Sequence, residues 1–553
     1  MAVDPADDSG VAARETSPFA ARLAELPEDE RYQRLLWVVR AETAGLLETD
    51  PETIDPDRAY RDYGYNSLAA LELTGRLGKA VGLDLPLTLL FDHPTPADVA
   101  AHLLGLHGYP RPGDDTRTPA DEPTVEAADG TPADESATVD GGDRTRGGSA
   151  PRAVAVAREV DENEPIAVVG MACHLPGGID SPEDLWRVVI EGRDVVSDFP
   201  TDRGWDLDAL YHPDPDHPGT TYAKVGGFLD GIAEFDADFF GIGRTEALAM
   251  DPQQRLLLQT TWELLENAGI PPHTLRRTPT GVFIGSSGSD YEQLARLGPQ
   301  ELEGYWGIGS AGSVLSGRVA YTFAFEGPAL TIDTACSSSL VATHLATQAL
   351  QRGDCTLAIA GGITLMTTPK TFTEFSRQRA LSPDGHCRSY DQNANGTGWS
   401  EGIALLLLET QTHAQQNNHP IHALIRATHT NQDGHSNGLT APNAPAQTRL
   451  ITHTLNKAHL TPNDIDAIEG HGTATTLGDP IEIDALTHAY AQHRTPTKPP
   501  IHLSSLKSNI GHTQAAAGTA GIIKTIQALH HQTHPPTHHL TQPTTKTTWH
   551  PQL

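Results

Sequence analysis

Four side chains stand in settings where their chemistry could be used. After the apolar run ALTID comes TACSSSLVATHLATQALQRG, in which Cys336 is expected to open a helix carrying Leu340, Leu345 and Leu350. A strand, a sharp turn and a helix present a nucleophile at an elbow, and the unpaired N–H groups of a helix start favour a thiolate. His471 follows the strand-like IDAIEG, and His512 follows IHLSSLKSNIG, each beside glycines at the end of an apolar run. Imidazoles there can exchange or donate protons. The fourth is Ser67, in GYNSL, ahead of an apolar stripe at Leu68, Leu71, Leu73 and Leu77. It reads as a helix start, with N-capping as the simplest role and covalent modification as the alternative.

The other reactive residues read differently. Cys173, Cys355 and Cys387 form no CxxC pair and read as small buried hydrophobes, and four cysteines in 553 residues fit a reducing, cytoplasmic compartment. Of 27 histidines, 18 follow Leu408. Most of these, including the pairs His530 with His531 and His538 with His539, lie in Thr-, Gln- and Pro-rich surroundings without ligand spacing. They read as a solvated surface bias, and no metal site is expected.

The length suggests three or four compact units. Lys and Arg number 38 against 71 Asp and Glu, a formal charge of −33 that opposes nucleic acid and anionic membranes. The longest apolar stretch, Ile403 to Leu408, is far too short to span a bilayer, and the acidic start shows no secretory signal. Residues 1–163 hold 15 basic and 32 acidic side chains, the remaining 390 hold 23 and 39. Within the acidic part, 31–104 has helical periodicity, whereas 108–163 is rich in Pro, Gly, Asp, Glu and Thr and has too little to bury to offset the entropy of ordering. From Glu164 the short runs IAVVG, GVFIG, ALTIDTA, TLAIAGG, IALLLLE, IDAIEG and IHLSSL alternate with helical segments, which implies an α/β domain with covered sheets.

Two resemblances sharpen this. LLWVVRAETAGLL, GYNSL and FDHPTPADVAAHLL resemble an acyl carrier protein, whose GxDSL serine bears a phosphopantetheine arm; here Asn66 replaces the Asp. The resemblance implies that Ser67 carries 4'-phosphopantetheine, added by a phosphopantetheinyl transferase. From Glu164 onward, EPIAVVGMACHLPGG, DTACSSSL, SPDGHCRSYD, NQDGHSNGLTAPN, EGHGTATTLGDP and SNIGHTQAAAG resemble the β-ketoacyl synthase domain of a modular type I polyketide synthase, with Ala474 where the family usually has Gly.

The implied fold is multidomain: a four-helix, all-α carrier domain, a disordered linker, and an α/β thiolase-like domain layered α-β-α-β-α. The expected bounds are a tail at 1–26, the carrier at 27–107, the linker at 108–163 and the synthase at 164–553, lacking the family's C-terminal segment with its GTNAH-type loop. By the same resemblance Cys336 accepts the acyl chain as a thioester, His471 and His512 promote decarboxylation of a malonyl-type extender, and Lys507 supports the histidines. Expected partners are carrier-bound acyl thioesters, an acyltransferase acting in trans, and a second copy of the chain in a homodimer. The alternative is a non-catalytic carrier and scaffold; a thiolase using coenzyme A fits less well, given the fused carrier.

Overall fold

A computed structural model describes residues 18–110 and 164–553, apart from 48, 59, 64–66, 84, 86–88, 94, 296–297, 437 and 439. Most of the expected linker, together with Asn66, lies outside the described residues. The chain divides into two compact units, and no helix among the described residues is long and apolar enough to cross a membrane.

The N-terminal unit is helical: α1 Pro18–Ala24, α2 Glu28–Leu47, α3 Ser67–Val81, α4 Leu89–Asp92 and α5 Pro96–Leu106. Leu35 and Val39 of α2, Leu73 and Leu77 of α3, and Val99 and Leu103 of α5 form its core. Helix α5 starts where Thr95 accepts the Asp98 N–H and Pro96 occupies the first turn, a position that needs no donor. Described residues of this unit lie outside both expected bounds. Leu23 of α1 is buried in the core, so the supposed tail is partly helix. Tyr109 packs on the same core under the Arg31 guanidinium, 4.2 Å from the ring centre.

Among its described residues the second unit has ten strands: β1 Ile166–His174, β2 Ser197–Asp198, β3 Val225–Gly226, β4 Thr280–Ser286, β5 Ala329–Ile332, β6 Leu357–Thr364, β7 Gly402–Thr410, β8 Ala423–Ile425, β9 Ala467–Glu469 and β10 His502–Ser504. Six form one mixed sheet in the order β5-β4-β6-β7-β1-β8, while β9 and β10 pair in parallel and β2 and β3 form a short ladder. The central strands are buried on both faces. One face packs on helices Pro182–Ile190, Ser338–Arg352 and Ala517–His530, the other on helices Pro252–Asn267 and Gly312–Phe323. This is the helix-sheet-helix stacking expected of a sheet built from unbroken apolar runs.

Strand β1 shows how side-chain phase is set. Ile166 and Val168 face the first core, Ala167 and Val169 the second. The register against β7 slips between Val168 and Gly170, and beyond it Met171 and Cys173 return to the first core with Ala172 on the second. A one-residue bulge thus inverts the alternation. Gly170 fits closely there: a Cβ would lie 3.2 Å from the Leu264 carbonyl oxygen and 3.0 Å from the Ala268 side chain, so a larger residue would have to push its neighbours aside.

Just before β7, Glu401 is fully buried and joins three distant segments. Its carboxylate accepts from the Arg203 guanidinium and from the N–H groups of Leu229 (2.9 Å) and Met366 (2.6 Å). Burial pushes the Glu401 carboxyl upward, against the guanidinium and both N–H groups. Removing one member of a buried pair strands the other charge, at a cost of about 3–5 kcal/mol. Glu401→Ala is therefore expected to lower the unfolding free energy of the second unit, read from urea titration, by that amount; a loss under ~1 kcal/mol would show that Arg203 finds another partner.

Candidate active site

The turn after β5 presents Cys336. Asp333 accepts the Ala335 N–H at 3.0 Å, and Ser338 Oγ accepts the Thr334 N–H at 2.8 Å while donating to the Ala335 carbonyl at 2.6 Å. Ala335 is held at φ 55°, in the left-handed region, which costs about 1 kcal/mol or more for a residue with a Cβ. The elbow is present, but Cys336 does not open the α-helix. It lies in a 3-10 turn, Ala335–Ser337, and the helix begins at Ser338. The thiol also differs from expectation. Desolvation raises its pKa, and the Lys507 charge and its own N–H offset this only in part. Cys173, Cys355 and Cys387 are buried, and burial raises their thiols as well, Cys355 to about 12.

His512 follows the short helix Lys507–Ile510 and Gly511, which takes φ 73°. Its backbone is clamped from both sides: its N–H donates to the Gly398 carbonyl at 2.7 Å, and its carbonyl accepts the Ser400 N–H at 2.9 Å. The ring is 1 % exposed, packed 5.0 Å from the Trp399 ring centre. Nδ1 accepts the Gln514 N–H at 3.0 Å. A ring nitrogen that accepts carries no proton, so the proton sits on Nε2, which is buried and has no hydrogen-bond partner among the described residues. Burial first, then the Lys507 charge and His471, hold the imidazole well below its ordinary pKa. His512 is a neutral ring offering one unused N–H.

His471 meets it at right angles, with ring centres 5.5 Å apart. It lies just beyond β9, where the His471 and Gly472 N–H groups donate to the Glu482 carboxylate at 2.6 and 2.9 Å, and the Tyr390 hydroxyl reaches the same carboxylate at 3.0 Å. Desolvation among the surrounding atoms, then Lys507, lowers the His471 pKa. The residue nevertheless keeps an exposed surface, and water tempers that depression. Lys507 is 8 % exposed, and its charge is felt at Cys336, His471 and His512 alike. Ser67, in the other unit, is the first residue of α3.

Several groups escaped the sequence reading. Asp479 and Glu482 lie one turn apart on helix Gly478–Ala489, a spacing visible in GDPIE. Asp479 accepts the Tyr390 N–H at 2.7 Å, and burial with the adjacent Glu482 pushes it up to about 7 against that bond. Glu469, at the end of β9, takes the Leu506 N–H and the Lys524 ammonium, both at 2.6 Å, tying the strand before His471 to the turn before Lys507. Ala474, where Gly was expected, is fully buried at φ 61°.

Residues 163–414 and 422–541 match the N- and C-terminal domains of the β-ketoacyl synthases, and 37–103 match the phosphopantetheine attachment site. The chain belongs to the modular polyketide synthases. It is 50 % identical over 536 residues to polyketide synthase GfsB of Streptomyces halstedii, covering 97 % of this chain and 9 % of that protein. It is also 50 % identical over 544 residues to the pikromycin synthase component PikAII of Streptomyces venezuelae, covering 98 % and 14 %. The chain thus spans a small fraction of these relatives. Among solved structures, the oxazolomycin ketosynthase domain OzmH KS7 of Streptomyces albus matches at 38 % identity and TM-score 0.65, over 69 % of this chain and 66 % of that one. The module 6 ketosynthase of the Bacillus subtilis bacillaene synthase matches at 36 % and 0.65, over 70 % and 65 %. The second unit has their thiolase-like fold.

The thiol environment sets a pH test. Only the thiolate reacts, and a thiol above its usual range gains about tenfold in thiolate per pH unit below its pKa. Alkylation of Cys336 by limiting iodoacetamide, followed by peptide mass mapping, should rise steadily from pH 6 to pH 9 and fall several-fold in Lys507→Met at pH 8. A plateau below pH 7.5 would contradict a desolvated thiol.

Proposed function

We propose that this chain extends a polyketide: an acyl group passes from a carrier to Cys336 and is condensed decarboxylatively with a malonyl-type extender. The observation that carries this reading is the buried, unpartnered Nε2–H of a neutral His512 beside His471 and Lys507. Transfer to Cys336 is proton-neutral overall, since the proton lost by its thiol ends on the released carrier thiol. Lys507 stabilises the thiolate in passing. As carbon dioxide leaves the extender, its electron pair flows toward the thioester carbonyl oxygen, where His512 Nε2–H, joined by the neutral His471, donates to the growing charge. The new carbon–carbon bond forms at the Cys336 acyl carbonyl, and the sulfur departs as thiolate. Donors fixed before the reaction need no reorganisation, and losing one typically costs about 100 to 1,000-fold.

Ser67 would hold the phosphopantetheine, which supplies a flexible thiol for thioester carriage. Its attachment would require a phosphopantetheinyl transferase, and an acyltransferase acting in trans would charge it. A homodimer also fits: β5 is a sheet edge, with Leu330 45 % exposed and Tyr321 of the adjoining helix 85 % exposed, the sort of edge that native proteins cover.

In single turnover with a malonyl-type carrier, His512→Ala is expected to cut decarboxylation by about 100-fold or more while leaving Cys336 acylation within a few-fold. An equal loss in both steps would show that His512 acts on folding or on the thiol instead. Incubation with coenzyme A and a broad-specificity transferase should add one phosphopantetheine mass, absent in Ser67→Ala, and acylation should vanish in Cys336→Ala. A modification that persists in either variant would displace the corresponding residue from its role.

A further inference from the structure

Three segments far apart in the chain bring Asp194, His386 and His539 together. One ligand atom from each lies within 4.8 Å of the others, and all three residues are partly buried. Asp194 follows helix Pro182–Ile190; its Oδ1 accepts the Val196 N–H at 2.9 Å, which fixes the carboxylate. Its Oδ2 faces both imidazoles, in hydrogen-bond contact with His539 Nε2 and 2.7 Å from His386 Nδ1. The second contact is close but misaligned: His386 Nδ1 is buried and makes no hydrogen bond. The His386 and His539 ring centres are 4.8 Å apart, and His538 packs 4.1 Å from His539. His539 itself sits at φ 60°. The charge of Arg388 is felt here too, but its guanidinium is held by Asp384 through two bonds of 2.6 and 2.9 Å.

We propose that Asp194, His386 and His539 form a binding site for a divalent transition metal of the Zn2+ class, apart from the condensing site. Two imidazoles and one carboxylate are a donor set that suits Zn2+, with a fourth position left for water or another ligand. Bonds of about 2.0–2.2 Å in tetrahedral geometry need donor atoms about 3.3 Å apart, so the 2.7 Å contact between Asp194 and His386 would open by about 0.6 Å and the shorter one to His539 by more. Each ring would turn a lone pair inward and carry its proton on the other nitrogen. The Val196 N–H on Oδ1 is the kind of outer hydrogen bond that orients a ligating carboxylate.

The site would fasten two elements next to the catalytic turn. The Val195 N–H donates to the Asn509 carbonyl at 3.0 Å, and the His538 N–H to Ser508 Oγ at 3.0 Å. Both partners lie within two residues of Lys507. A metal bound to Asp194 and His539 would therefore stiffen the frame of the Lys507 turn without touching substrate.

Chelator-treated full-length chain should bind one Zn2+ by calorimetry, and Co2+ should give the intense visible absorption of a four-coordinate nitrogen and oxygen site. Zn2+ should also raise the melting temperature. His386→Ala, His539→Ala and Asp194→Asn should each weaken this binding by about tenfold or more and abolish the Co2+ band, whereas the double variant His530→Ala with His531→Ala should keep both. His386→Gln, the mildest change, guards against misfolding, because its metal-free melting point should match that of the parent. Zn2+ affinity and the Co2+ band unchanged in His386→Gln, or parent binding no tighter than that of the His-rich surface, would overturn the proposal.

Discussion

Keeping one ammonium group out of water beside a thiol and two imidazoles is the constraint on which this active site rests. Lys507 is almost fully buried, and a buried charge is tolerated only where the surroundings answer it. Its field opposes a second positive charge, so it works with burial to keep His471 and His512 neutral, and it favours negative charge at Cys336. Asp479, raised to about 7, also feels this charge. A raised carboxyl and depressed imidazoles affect stability in opposite senses. Between pH 3.8 and 7 the native state holds the Asp479 proton more firmly than the unfolded chain, so its contribution falls as pH rises. The unfolded histidines bind protons below about 6.5 that the native rings refuse, so theirs falls as pH drops.

The fold meets this constraint with backbone hydrogen bonds. His512 is held between Gly398 and Ser400, just ahead of β7, while the loop bearing His471 hangs from Glu482. Glu469 and Lys524 then couple β9 to the turn after β10. Each reactive side chain is thus placed by a main-chain contact to a different element, and the central sheet with its two apolar cores fixes those elements relative to one another. The same dependence makes the site sensitive to small shifts: misplacement by about 1 Å can cost 100-fold in rate.

Much of this was legible in the amino-acid order. All seven apolar runs hold strands, and four of them, β1, β4, β6 and β7, are buried on both faces, which leaves an unbroken β-branched and aliphatic signature. Cys336, His471 and His512 stood out because each ends or follows such a run beside small residues. What stayed hidden depends on contacts between distant residues. Strand β8 is three residues long, too short for a periodicity. The raised Cys336 thiol reflects burial that no local pattern announces, and a 3-10 turn separates Cys336 from the start of the helix at Ser338. His539 reads as one of many surface histidines until a partner 345 positions away in the chain is brought beside it. Asn66 and most of the linker fall outside the described residues, so the amino-acid sequence alone speaks for them.

The central claim is that His512 is a neutral donor, with its proton on Nε2, throughout the working pH range. Selective 15N-histidine labelling of the full chain, with the His512 signals assigned by their loss in His512→Gln, reads this directly. The account predicts one protonated Nε2 and one unprotonated, hydrogen-bonded Nδ1, with shifts constant from pH 5.5 to 8.5. A His512 ring that titrates between pH 6 and 7, or one that carries its proton on Nδ1, would contradict it.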